Sequence, residues 1–261
     1  MGLFELIRRY YPSNKTLKRA GIALCFAAAL GMVISGIMGE GAVPATAIVN
    51  EKGPVVAITF DDGPYAKVTG HILDVLEAND VCATFFVLGS RIRGREELLL
   101  RMERLGCEVG NHSYSHADLT TLSLRDCQRE IDDTNAEIKR VLGHEARVVR
   151  PPYGHYNKTV KKVVSVPMAL WTVDTNDWKG KAPEAIADYV IEQAKEGSVI
   201  LMHDQRSSTA DAMEIIIPAL IDEGFRFVTI SELIDMTGGD CKGIKMPDQA
   251  LIINTKETKA R

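Results

Sequence analysis

Seven short runs of apolar and β-branched residues punctuate the chain: VVAITF (55–60), ATFFVLG (83–89), CEVGNH (107–112), ARVVR (146–150), MALWTVD (168–174), SVILMH (198–203) and FRFVTI (225–230). Their nearly continuous hydrophobicity predicts strands buried on both faces. Between them lie stretches of helical period: VTGHILDVLEAND, with Ile72, Val75 and Leu76 on one face, then REELLLRMERLG, LRDCQREIDDTNAEIKRVLG, PEAIADYVIEQAKEG and TADAMEIIIPALIDEG. Several of these end at a glycine, the residue that most readily closes a helix in the left-handed conformation. Strand and helix in alternation predict parallel β-α-β units, arranged as a barrel or as an open doubly wound sheet. The pattern does not choose between the two.

Polar residues gather where the strands end. Asp61 and Asp62 follow the first run, NHSYSH the third, RPPYG the fourth, DTNDW the fifth and HD the sixth. In parallel α/β folds the carboxyl edge of the strands is where active sites form. Two adjacent carboxylates at a buried strand end are costly unless positive charge holds them. His112 and His116 flank SYS, a spacing that lets both imidazoles reach one point if the segment turns after its strand. With one carboxylate they form a three-ligand set that leaves a divalent metal open to water or substrate. The second carboxylate is then free to act as a base.

The totals change this picture mainly at the N-terminus. Of 261 residues, 46% are apolar, enough for one substantial core. The net charge is −4; Arg8, Arg9, Lys15, Lys18 and Arg19 against Glu5 and Glu40 leave +3 on the first 50 residues, so the remaining 211 carry −7. An acidic body lacks the basic face that phosphate binding needs, which argues against nucleic acid. Residues 20–39, AGIALCFAAALGMVISGIMG, carry no charge and as a helix would be about 30 Å long, enough to cross a membrane. The basic residues all precede it, so the positive-inside rule sends the chain beyond residue 40 outward. PATA at 44–47 also offers a cleavage site near Ala47, so the segment is a retained single-pass anchor or a removed export signal. The organisation read from the chain is a basic leader (1–19), the membrane or signal segment (20–39), a linker (40–53), a catalytic domain (54–236) and a polar tail (237–261). Cys82, Cys107, Cys127 and Cys241 allow three complete pairings, and their spacing selects none.

TFDDGP, HSYSH, RPPYG, DTNDW and LMHD, in that order, resemble the five motifs of the NodB-type polysaccharide deacetylases, carbohydrate esterase family four. The resemblance covers about residues 53–236. It implies a distorted (β/α) barrel, with about seven parallel strands by the alternation above, and removal of N-acetyl groups from a glycan; a monomeric catalytic domain is expected, and export beyond the membrane makes N-acetylglucosamine of peptidoglycan the expected substrate. Chitooligosaccharides and N-acetylmuramic acid are the alternatives. It also implies one divalent ion, zinc first, with cobalt, nickel, manganese or iron as substitutes. Carried over by position, Asp62, His112 and His116 hold the metal and Asp61 is the base, oriented by Arg150. The Tyr153 backbone N–H steadies the oxyanion, and Trp178 and Leu201 line the acetyl pocket. His203 protonates the leaving amine, its pKa raised by Asp177 or, as second choice, Asp174. Two rival readings are an iron oxygenase, which needs no His203, and a glycan-binding relative without turnover, which needs neither Asp61 nor His203.

Overall fold

A computed structural model of the chain describes residues 53–237 and the backbone of residues 252–253. Its strands are β1 (Val55–Gly63), β2 (Thr84–Val87), β3 (Glu108–Asn111), β4 (Met168–Ala169), β5 (Val173–Asp174), β6 (Ser198–His203), β7 (Arg226–Phe227) and β8 (Ile252–Ile253). Its helices are α1 (Ala66–Ala78), α2 (Gly89–Ile92), α3 (Glu96–Arg104), α4 (Leu124–Leu142), α5 (Lys158–Val163), α6 (Pro183–Gln193), α7 (Ser207–Asp222) and α8 (Ile230–Met236). β1 lies at the centre of the parallel sheet, whose order is β3-β2-β1-β6-β5 with β7 against the start of β1. The parallel bridges Asn111↔Val149 and Val149↔Met168 extend the pairing beyond β3. β4 thus faces Val149 while β5, a few residues on, pairs with β6.

Successive residues of β1 point to opposite faces, as a pleated strand requires. Val56, Ile58 and Phe60 join Leu73, Phe85 and Ile216 in the cluster beneath the helices. Val55 and Ala57 join Phe86, Val148 and Val199 on the other face. Burying each large side chain of this kind contributes about 1.5–3 kcal/mol, which fixes the register: a one-residue slip would exchange the two faces. The second face grades from Val55 and Ala57 through Thr59 to Asp61, all buried. The packing that orients the strand therefore delivers a carboxylate at its carboxyl end.

The structure departs from the predicted elements in three places. Residues 146–150 contribute a bridge and no extended strand, and 168–174 splits into β4 and β5. The run FRFVTI keeps only Arg226–Phe227 as strand, because Thr229 caps α8 in a reciprocal box with Glu232. Within the tail, β8 pairs antiparallel with β4. The predicted leader, membrane segment and most of the linker lie outside the described residues, as do Cys25 and Cys241. Among the described residues no helix is long and apolar enough to cross a membrane. Cys82, Cys107 and Cys127 are free thiols, and burial pushes Cys107 up to about 11.

Candidate active site

Pairing in register sets Asp61 of β1 beside His203 of β6, and Leu201 of β6 beside Asp174 of β5. Regular pleating would send Asp61 and Asp62 to opposite faces. Instead the β1–β2 register slips between Asp61 and Gly63, and Asp62 takes φ 75°, so that both carboxylates border one cavity. Asp62, Ser113, His116, Tyr153 and Asn176 are five of the six non-glycine residues with positive φ among those described. Such backbone costs roughly 1–3 kcal/mol per residue and persists only where its surroundings enforce it. Gly63, next to Asp62, has no room for a side chain, since a Cβ there would run into the Asp204 carboxylate.

Asp62, His112 and His116 each offer a ligand atom within 4.8 Å of the others. Asp62 Oδ1 stands 3.2 Å from His116 Nε2 and 3.6 Å from His112 Nε2. His112 Nδ1 donates to the Arg150 carbonyl at 2.7 Å, which fixes the tautomer and leaves the Nε2 lone pair facing Asp62. Burial, reinforced by the neighbouring His112, holds His116 below its ordinary pKa, in the neutral form that coordinates metal. Asp62 Oδ1 is buried and accepts no hydrogen bond among the described residues. A stranded carboxylate oxygen between two imidazole nitrogens fits a divalent cation, and the mixed N/O donor set suits zinc and several first-row relatives.

Asp61 is held from the opposite side. The fully buried Arg150 donates through Nη1 to Asp61 Oδ1 and to Thr59 Oγ1, both at 2.8 Å. Nε and Nη2 reach the Ala169 and Leu170 carbonyls, and the guanidinium lies 4.1 Å over the Phe86 ring. A buried cation is tolerable only when so fully paired. Across the cavity, His203 Nδ1 donates to Asp177 Oδ1 at 2.7 Å, and Asp177 Oδ2 accepts from the His203 amide and from Thr209 Oγ1. Burial alone would lower the His203 pKa; the hydrogen bond to Asp177, joined by the charges of Asp61 and Asp62, outweighs it and raises the pKa to about 9. Asp174 spends Oδ1 on the Asn176 N–H, so Asp177 and not Asp174 is the partner of His203.

Every residue singled out from the sequence borders this cavity of about 400 Å³, except Arg150 and Asp177, which stand behind it. Tyr153 and Trp178 are exposed at its rim, and Leu201 is buried in its wall. Trp171, Gln205 and Thr209 belong to the site without having been predicted. The remaining histidines, His71, His144 and His155, lie elsewhere and pair with Glu214, Glu103 and Asp118.

Known proteins carry the same arrangement of chain. A profile described as polysaccharide deacetylase matches residues 48–166. The peptidoglycan-N-acetylmuramic acid deacetylase PdaC of Bacillus subtilis is 44% identical over 190 residues, which are 73% of this chain and 41% of that protein. The chain thus spans about two fifths of that relative's length. The chitooligosaccharide deacetylase of Sinorhizobium fredii is 36% identical over 189 residues, covering 66% of this chain and 88% of that one. A solved structure of the Bacillus subtilis PdaC deacetylase superposes with a TM-score of 0.70 at 43% identity, over 72% of this chain and 93% of the other. Sequence and fold agree that the chain belongs to the polysaccharide deacetylase family, carbohydrate esterase family four.

Proposed function

We propose that this protein removes N-acetyl groups from a cell-wall glycan, with N-acetylglucosamine of peptidoglycan as the substrate. The observation that carries the reading is the stranded Asp62 Oδ1 between two imidazoles, with an arginine-held carboxylate on one side and a carboxylate-held histidine on the other. Asp62, His112 and His116 would hold a divalent ion, zinc in the first instance. Such an ion supplies Lewis acidity that acidifies water and polarises a carbonyl.

The residues of this chain do the rest. Asp61, oriented by Arg150, takes a proton from water as its oxygen attacks the acetamide carbon. The Tyr153 backbone N–H, held by a left-handed φ of 60° after Pro151-Pro152, donates to the developing oxyanion. His203, protonated by virtue of Asp177, delivers its proton to the departing nitrogen as the C–N bond breaks, leaving acetate and a free amine. Trp178 and Leu201 shield the acetyl methyl from water. We read the sheet and its bridges as a distorted barrel, and the N-terminal segment as placing a monomeric catalytic domain outside the cytoplasmic membrane.

A second substrate is favoured by one observation: the relative at 44% identity is named for N-acetylmuramic acid. Acetate release from purified peptidoglycan, with and without chelator, followed by mass spectrometry of the digested glycan, tests both readings. Chelator-sensitive release that leaves unacetylated glucosamine residues in the glycan is expected, and unacetylated muramic acid residues would transfer the reading to the second substrate. Release indifferent to chelation would overturn the mechanism.

A further inference from the structure

Gln205 comes two residues after His203, in the segment HDQRSS. Its Nε2 donates to Asp62 Oδ2 at 3.2 Å, while Asp62 Oδ1 faces the imidazoles unpartnered. The two oxygens of the carboxylate are therefore distinguished before any cation arrives.

The amide is itself held in one orientation. The Tyr65 hydroxyl donates to Gln205 Oε1 at 3.4 Å, which leaves Nε2 turned toward Asp62. Tyr65 is fixed in turn, with the Arg91 guanidinium 4.2 Å over its ring and its own N–H donating to Thr69 Oγ1 at 2.7 Å. Thr69 Oγ1 donates to Asp204 Oδ2 at 2.6 Å, so the residue before Gln205 is tied to the same helix start. The buried Asp204 carboxylate also fills the space beside Gly63. Asp204 and the Gln205 side chain are thus both anchored against the turn that carries Asp62.

We propose that Gln205 is a positioning residue for the metal aspartate, holding Oδ2 so that Oδ1 is the atom offered to the cation. The inference rests on the metal reading of Asp62, His112 and His116. A free carboxylate would rotate about its last torsion and lose that freedom on binding; the amide removes the loss beforehand. A neutral donor is suited to the task, because a lysine would compete with the cation and a glutamate would repel Asp62. Partners of this kind typically alter metal affinity by 10- to 100-fold.

The test is a competition titration of zinc alone against a chromophoric chelator, with wild type, Gln205→Ala and Tyr65→Phe, alongside visible spectra of the cobalt-loaded proteins. Gln205→Ala is expected to weaken zinc by roughly 10- to 100-fold and to move the cobalt bands. Tyr65→Phe should weaken zinc less, since the amide remains but is no longer oriented. Metal-free melting temperatures establish that each variant folds. A zinc affinity within about twofold of wild type in Gln205→Ala, with one equivalent bound by both, overturns the inference and leaves the metal site standing. A wild type that takes up no cation overturns the metal reading as well.

Discussion

Two carboxylates of one sheet, on strands separated by β2, meet opposite fates. Glu108, at the amino end of β3, is bonded through both oxygens: Ser231 donates its hydroxyl to Oε1 and its N–H to Oε2 at 3.0 Å, and Thr84 Oγ1 donates to Oε2 at 3.2 Å. It closes the start of α8 with neither oxygen left bare. Asp62, at the carboxyl end of β1, receives one amide on Oδ2 and keeps Oδ1 buried and bare. Both are partly buried, so burial alone does not mark a functional group. Asp204 Oδ1 is likewise buried and bare, so what marks Asp62 is a bare oxygen facing two imidazole nitrogens, retained despite a desolvation cost of about 1–3 kcal/mol.

Asp62→Asn should break the contrast most completely. The cation is expected to be lost, and acetate release to fall by more than the roughly 100-fold that outer partners cost; chelator competition and acetate assays measure the two. His203→Gln sharpens it, because this variant should lower kcat by about 10²- to 10⁴-fold while zinc affinity holds. The pH dependence of His203 has a definite sign. Its folded pKa of about 9 lies above its ordinary 6.5, so the Asp177 pair stabilises fully below about pH 6.5 and loses that stabilisation as pH rises through 9. In wild type the loss of a protonated acid should also depress activity on the alkaline side, at a lower pH when a dication is present, since positive charge opposes protonation. Denaturation curves across that range should be flatter in His203→Gln; curves of unchanged slope would remove the pair from the account.

At the other end of the sheet the effects are structural and smaller. Glu108→Ala strands Ser231 and Thr84 and should cost about 1–3 kcal/mol in denaturant unfolding, with zinc affinity untouched. A coupled loss of zinc would mean that the two ends are not independent. The exposed His144–Glu103 pair is the least consequential, and His144→Ala should change stability by less than about 1 kcal/mol.

Much of the site was legible because strand ends and polar motifs coincide in the sequence: Asp61, Asp62, His112, His116 and His203 all sit at or just beyond apolar runs. The paired strands β1, β2, β3 and β6 were legible for the same reason. The failures have physical causes. Residues 168–174 do not form one strand because Arg150 takes the carbonyls of Ala169 and Leu170, which a continuous ladder would otherwise use. No periodicity reports a guanidinium arriving from another segment. The end of FRFVTI was readable as a helix start, since Thr229 and Glu232 have capping-box spacing, but the apolar run concealed it. Spacing could not choose between Asp174 and Asp177; the choice comes from an Asx-type turn that occupies Asp174. Thr209 and Gln205 carry no pattern, because the carboxylates they bond, Asp177 and Asp62, lie more than 30 and 140 residues away along the chain, respectively.

Equilibrium dialysis of wild type and Asp62→Asn against zinc, with metal and protein quantified in the same sample, tests the central claim most directly. The account predicts one zinc per wild-type chain and none in the variant at the same free concentration. Equal occupancy of the two proteins would contradict it.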